Sequence, residues 1–137
     1  MILPFLLMAG DPPWNCDEPI AQQEMNWCAA RNYEKADAEL NAQWKKTAAE
    51  MKERDVEWDA SAAACDPGEE CDSIDDGPGY FDTLLEGQRA WLTFRDAHCA
   101  SEGYLFRGGS MEPLIVSTCK TKLTEDRTQQ LKFLIEQ

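Results

Sequence analysis

The stretch from Ile20 to Ala63 contains neither glycine nor proline and is rich in Ala, Glu, Gln, Lys and Leu. These residues favour helices, and an uninterrupted run of them leaves few alternatives to a helix. Apolar or small side chains recur in it at three- and four-residue steps, as on one face of a helix. They are Met25, Ala29, Tyr33, Ala36, Leu40, Trp44, Thr47 and Met51. The spacing predicts one long helix from Ile20 to about Ala63.

A second helix is predicted from about Tyr80 to Glu102, before Gly103, because glycine commonly ends a helix. The side that the spacing predicts to face the core comprises Leu84, Gln88, Trp91, Leu92, Arg95 and Cys99.

A third helix is predicted from Met111 to about Ile135, with Ser110 as its N-cap. Its predicted stripe comprises Leu114, Ile115, Cys119, Leu123, Arg127, Leu131 and Leu134. No stretch alternates with the two-residue period of a strand. The sequence therefore predicts an all-α fold in which a long N-terminal helix packs against an antiparallel helical hairpin.

The chain has six cysteines, and an even number in a small chain indicates a disulfide framework formed in an oxidising compartment. Cysteines at the end of helix two and in the third turn of helix three would meet across the hairpin. Another pair would pin the N-terminal segment to helix one, and a third would close a small ring in a loop. The predicted pairs are Cys16–Cys28, Cys65–Cys71 and Cys99–Cys119. With one histidine and no CxxC motif, no metal site is predicted.

The first residues resemble the apolar part of an export signal. The segment Ile2 to Met8 is apolar, and small residues follow it. We expect residues 1–10 to be a leader that is removed, leaving a single mature domain at 16–137; a retained terminus or a truncated leader is the alternative. The segment is too short to span a bilayer, and no cysteine follows it directly. We therefore expect a periplasmic or secreted bacterial protein without a stable membrane anchor.

The charge is strongly acidic, with 26 Asp and Glu against 13 Lys and Arg, for a formal net charge of −13. This charge disfavours binding to nucleic acids and attracts basic proteins. Acidity that only improves solubility is the alternative interpretation.

A loop at about residues 65–79 concentrates acidic side chains without any basic one. We predict that it contacts a basic partner; a solvated surface loop or a weak cation site are the alternatives. Its sequence fails the EF-hand pattern at Ile74 and Thr83. The acids are Asp66, Glu69, Glu70, Asp72, Asp75 and Asp76.

No arrangement of residues indicates catalysis. His98 precedes Cys99, but adjacent residues of a helix point in different directions, and Cys99 has a predicted disulfide partner. The glycines follow no strand and form no phosphate-binding motif. We predict that the protein is not an enzyme and uses no cofactor.

Polar residues interrupt the predicted apolar faces: Gln88 and Arg95 on helix two, and Arg127 on helix three. Because a buried arginine needs partners, we predict that Asp37 or Asn41 of helix one bonds to at least one of these arginines. A structural network that fixes helix register is favoured over a functional site.

Several motifs resemble the LprI-type family of lysozyme inhibitors, and the resemblance runs from about Cys16 to Leu131. The motifs include Glu24-Met-Asn-Trp-Cys28-Ala29, Ala36-Asp37-Ala-Glu-Leu40-Asn41, Gln88-Arg-Ala-Trp91-Leu-Thr-Phe-Arg95-Asp96, Gly108-Gly-Ser-Met-Glu-Pro113 and Leu123-Thr-Glu-Asp-Arg127. The resemblance implies an exported, disulfide-bonded helical domain, and it supports the outer two disulfides. The loop containing Cys65 and Cys71 departs from the family pattern as an apparent addition. No catalytic residues carry over.

From resemblance and charge together, we predict a binding protein that blocks a basic muramidase such as a lysozyme. The acidic loop would contact the enzyme, and the loop from Phe106 to Met111, including Ser110, would supply an inserting element. The alternatives are an envelope adaptor or stress-related scaffold that does not inhibit lysozyme and an acidic cation-binding protein. The sequence favours no particular oligomeric state.

Overall fold

The computed structural model describes residues 10, 12–66, 68 and 77–137. Three helices make up most of it: α1 (Gln22–Ala63), α2 (Tyr80–Gly103) and α3 (Glu112–Ile135), with a short 3₁₀-helix (Tyr104–Phe106) after α2. The described residues contain no strand. The predicted all-α fold, with a long first helix against a helical hairpin, is confirmed.

Two hydrogen bonds show how α1 lies against α3. The Asn26 side-chain amide donates to the Ser110 carbonyl over 2.9 Å, and the Thr47 hydroxyl donates to the Leu131 carbonyl over 3.0 Å. Each pair is 84 residues apart in sequence. The constant offset means that α1 and α3 run parallel, with α2 antiparallel between them in chain order.

The apolar core is small and lies where the three helices meet. It is built on Leu40, Met51, Leu84 and Leu131, with tryptophan, phenylalanine and leucine side chains packed around them. Threonines complete it, and their hydroxyls find backbone or side-chain partners, so that burying them leaves no polar atom unpaired.

Two disulfides staple this core. Cys16 is bonded to Cys28, and Cys99 to Cys119, with Cα atoms 5.5 Å apart in both pairs. The first ties the N-terminal segment to α1, and the second closes the hairpin. Cys65 is also disulfide-bonded, whereas Cys71, its predicted partner, lies outside the described residues.

The predicted N-cap of the third helix is wrong. The helix begins at Glu112, with Met111 at the N-cap position and no side-chain cap. The Ser110 carbonyl is held by Asn26, and the Glu112 carboxylate accepts the Gly108 N–H over 2.8 Å. Contact with α1 therefore sets the path of the chain at Ser110. The helix begins at Glu112, one residue after the predicted start at Met111.

The predicted leader falls on residues 1–9 and Gly10, of which only Gly10 is described. Among the described helices, none is both long enough and apolar enough to cross a membrane.

Asp55 of α1 caps the first turn of α2. Its carboxylate accepts the backbone N–H groups of Tyr80 over 2.6 Å and Phe81 over 3.1 Å. The N-cap residue, Gly79, has no side chain to do this, and a Cβ atom there would stand 2.5 Å from Asp55 Oδ1. A carboxylate at this place satisfies unpaired amides and complements the helix dipole, so Asp55 fixes where α2 begins relative to α1.

Replacing this cap should destabilise the fold. We expect Asp55→Ala to lower the free energy of unfolding by about 1–2 kcal/mol, the usual effect of losing an N-cap, measured by urea denaturation. Asp59→Ala, at an exposed position one turn further along α1, is the control and should change it little. Equal effects of the two substitutions would show that Asp55 does not act as a cap.

Candidate protein-binding surface

The hairpin loop and the residues that flank the acidic loop lie at opposite ends of the bundle. The acidic loop follows α1 and precedes α2, whereas the hairpin loop, defined here as Tyr104–Met111, follows α2. The 24 residues of α2 span about 36 Å between these two ends at the rise of an α-helix.

Most of the acidic loop lies outside the described residues, namely Glu69, Glu70, Asp72, Asp75 and Asp76. Asp66, at the end of α1, is exposed. The role of this loop as a contact surface, and its origin as an insertion, stay predictions.

The backbone of the hairpin loop is fixed by its own hydrogen bonds. The Arg107 N–H donates to the Tyr104 carbonyl over 3.2 Å, and the Gly109 N–H donates to the Phe106 carbonyl over 2.9 Å. Gly108 takes a φ of +76°, in the left-handed region that favours glycine. The loop is therefore a defined turn that presents its side chains in set directions.

Apolar side chains on this loop are exposed. Leu105 is 81% exposed and Tyr104 61%, while Phe106 and Met111 are each 38% exposed. The Arg107 guanidinium lies 5.1 Å from the centre of the Tyr104 ring. Aromatic residues and arginine are enriched at the energetic centres of protein interfaces, so the composition and exposure of this loop fit a protein-binding surface.

The N-terminal segment folds back against α1 at the same end of the bundle. The Glu24 carboxylate accepts the N–H groups of Ile20 and Asn15, each over 3.0 Å. Hydrogen bonding from the Ile20 amide lowers the pKa of Glu24. The Trp14 ring packs edge-on against Trp27, with ring centres 5.9 Å apart. These contacts, with the nearby disulfide, hold the segment beside the hairpin end.

Arg95 lies at the junction of the three helices and is only 5% exposed. Its Nη1 atom lies 3.6 Å from Asp37 Oδ1 and donates to the Thr124 hydroxyl over 3.3 Å, while its Nε atom donates to Asp96 over 3.0 Å. Asn41 supports this group by donating to Asp37 over 3.3 Å. The acid from α1 that we expected beside a buried arginine is therefore Asp37.

Aromatic rings surround the same guanidinium. Its carbon lies 5.4 Å from the centre of the Tyr33 ring and 5.1 Å from that of Trp91. Lys120 of α3 lies 3.7 Å from Asp96 and faces the Tyr33 ring. Burial raises the pKa of Tyr33. Arg95 thus contacts groups from α1, α2 and α3 and acts as a structural junction.

Gln88 and Arg127 form a second, separate pair between α2 and α3. The Arg127 Nε atom donates to Gln88 Oε1 over 2.9 Å, and Nη1 donates to Gln130 over 3.0 Å. Burial lowers the pKa of Arg127. The five predicted network residues therefore divide into two clusters: Arg95 with Asp37 and Asn41, and Arg127 with Gln88.

His98, Glu102 and Cys119 bring possible metal-binding atoms within 4.8 Å of one another. Cys119 is in a disulfide and supplies no thiolate, and His98 is already 3.0 Å from Glu102 and stacked on the Phe94 ring. The group is explained by a side-chain hydrogen bond on the surface beside a structural disulfide.

Comparison with known proteins identifies the family. The model of the family described as lysozyme inhibitor LprI matches residues 16–131. The chain belongs to the LprI family. It is 38% identical over 129 residues to an uncharacterized protein of Rhizobium meliloti (strain 1021), an alignment that covers 93% of this chain and 84% of that one. No solved structure matches it.

The LprI-family match places the exposed hairpin loop inside the family domain, together with both described disulfides. The sequence-based prediction began the candidate loop at Phe106 and so missed Tyr104 and Leu105, which are 61% and 81% exposed. The available signal was Gly103, which marks the end of α2 and assigns the following residues to the loop.

Removing the Arg95 side chain should destabilise the whole bundle. We expect Arg95→Ala to lower the free energy of unfolding by about 2–4 kcal/mol, because it removes buried packing and several charged hydrogen bonds at once. Arg89→Ala, at an exposed position of the same helix, should change it by less than about 0.5 kcal/mol. Chemical denaturation of both oxidised variants measures the difference, and comparable losses would contradict the junction role.

Proposed function

We propose that this LprI-family protein binds a lysozyme-type muramidase through its hairpin loop and blocks the enzyme's substrate cleft. The observation that carries the proposal is the exposure of Tyr104, Leu105 and Phe106 on a backbone held by hydrogen bonds. A preformed loop loses little conformational freedom on binding, which favours tight association.

The shape of this loop suits a cleft. It is a short connection at the end of a helical hairpin, and its apolar side chains are exposed. Muramidases bind an extended sugar chain between two carboxyl groups, so a loop seated in that groove excludes substrate without chemistry of its own. This agrees with a family of inhibitors and with a protein that is not an enzyme.

Charge would support capture of a basic enzyme. The net charge of −13 steers cationic proteins towards this chain and raises their association rate. At physiological salt, the electrostatic field of a charge decays over about 8 Å, so acidic residues close to the hairpin loop contribute most to attracting an enzyme to that loop. Asp17, Glu18 and Glu102 are exposed there, whereas Asp66 lies at the far end. We assign electrostatic steering of the enzyme to Asp17, Glu18 and Glu102, and only a weak, long-range contribution to the acidic loop.

The disulfides favour a periplasmic or secreted location, because such bonds form and persist in oxidising compartments. A secreted or periplasmic inhibitor would meet its enzyme at the cell wall.

Inhibition should depend on the tip of the hairpin loop. In a cell-wall clearing assay with a basic lysozyme at physiological salt, we expect saturable inhibition, and Leu105→Asp should raise the half-inhibitory concentration at least about tenfold. Phe133→Asp, which changes an apolar side chain 63% exposed near the end of α3, is the control with the same charge change and should leave it unchanged.

An unrelated acidic protein of similar size tests for non-specific capture of the basic enzyme. Inhibition matched by that protein, or unaffected by Leu105→Asp, would contradict the proposal. If the protein does not inhibit lysozyme but captures another envelope protein at high salt, and Leu105→Asp abolishes that capture, the alternative function as an envelope adaptor would be favoured.

A further inference from the structure

A groove lies at the end of the bundle opposite the hairpin loop. Arg54, Glu57, Trp58 and Ser61 line it from α1, and Tyr80 lines it from the start of α2. Counted from Arg54, the other three α1 residues lie three, four and seven positions further on, so all four share one helix face. The groove therefore forms where the last turns of α1 extend beside the first turn of α2.

Two aromatic rings in this groove are only half covered by the protein. Trp58 is 49% exposed and Tyr80 is 45% exposed. Tyr80 is held in place because its backbone N–H donates to Asp55, one turn before Trp58 on α1. The groove thus presents two aromatic residues whose relative position is fixed by the α1–α2 junction, and neither ring is needed for the apolar core.

The polar side chains of the groove balance in charge. Arg54 contributes one positive charge and Glu57 one negative charge, with the Ser61 hydroxyl beside them. Arg54 is steadied by Glu50, whose Oε1 atom lies 3.3 Å from its Nε atom. A neutral groove offering donors, acceptors and aromatic faces favours an uncharged ligand that has both hydroxyl groups and apolar C–H faces.

Pyranose rings have this combination, since their C–H faces stack on aromatic rings while their hydroxyls form hydrogen bonds at the edge. We propose that the groove formed by Trp58 and Tyr80 binds a neutral saccharide chain. The acidic surface of the protein argues against an anionic glycan. A second groove, between α1 and α3, is lined by Glu39, Lys46, Glu125 and Lys132 among others and has no aromatic side chain, so it lacks the stacking surface.

This site is independent of muramidase inhibition and goes beyond it. The groove lies about 36 Å from the hairpin loop, the length of the 24-residue α2 helix, so both surfaces are accessible at the same time. One end holds a sugar polymer while the other remains free to bind a protein.

Calorimetric titration of the full, oxidised chain with a soluble oligomer of N-acetylglucosamine tests the site. We expect saturable binding, weakened at least about tenfold in Trp58→Ala and in Tyr80→Ala, a factor typical of losing one stacking or anchor side chain. Phe94→Ala removes an aromatic ring that is 55% exposed elsewhere on α2 and should bind like the unchanged protein. Thermal unfolding followed by circular dichroism checks that each variant is folded.

Nuclear magnetic resonance of the unchanged protein gives a readout that needs no variant: the Trp58 indole N–H signal should shift with saturation while that of Trp14 stays constant. No saturable binding, binding as tight in Trp58→Ala and Tyr80→Ala as in the unchanged protein, or loss of binding in Phe94→Ala would overturn the site. Concentration-dependent self-association abolished by Trp58→Ala would also overturn it, since a second copy would then be the occupant. No enzyme is present in these experiments, so their failure leaves the proposed inhibition untouched.

Discussion

Arg95 places a positive charge at the point where α1, α2 and α3 meet, with only 5% of the residue exposed. A buried charge is tolerated only where partners replace water, and here they come from all three helices: Asp37, Asp96 and Thr124. Since these groups have directions as well as positions, they specify how far each helix slides along the next. A small apolar core of leucine and methionine would not specify this register so narrowly.

The rest of the bundle extends from that junction in two directions. One turn beyond Arg95 on α2, the disulfide between Cys99 and Cys119 closes the hairpin below the exposed loop. In the other direction, Asp55 fixes the first turn of α2 and thereby positions Tyr80 beside Trp58. The disulfide thus anchors the base of the hairpin loop, whose own hydrogen bonds fix its backbone, and Asp55 positions one wall of the groove.

Local rules predicted the helices well because the signals were strong. The absence of glycine and proline defined α1, and Gly103 marked the end of α2 to within one residue. The prediction that Leu92 faces the core was wrong, because Leu92 is 38% exposed. The spacing of apolar residues alone does not distinguish Leu92 from the adjacent Trp91. Thr124 and Thr128 are buried although the predicted stripe of α3 did not include them. The Thr124 hydroxyl accepts a hydrogen bond from Arg95, and the Thr128 hydroxyl donates to the Thr124 carbonyl.

Contacts between distant segments were harder to predict. The Asp55 cap joins residues 25 positions apart, and nothing near Asp55 in the sequence marks it as the cap of another helix. Gly103 assigns Tyr104 and Leu105 to the loop, but their exposure was harder to predict, since large apolar side chains are ordinarily buried. The Asp37–Arg95 pair was predictable because a buried arginine requires an acid and few acids lie beside the stripe of α1.

Amide hydrogen exchange of the oxidised protein, alone and saturated with a lysozyme that it inhibits, is the most direct test of where the partner binds. Binding through the hairpin loop predicts slowed exchange at residues 104–111 and in the adjoining N-terminal segment, with the last turns of α1 unchanged. Slowed exchange confined to the last turns of α1 and the start of α2, with the hairpin loop exchanging as in the free protein, would contradict it.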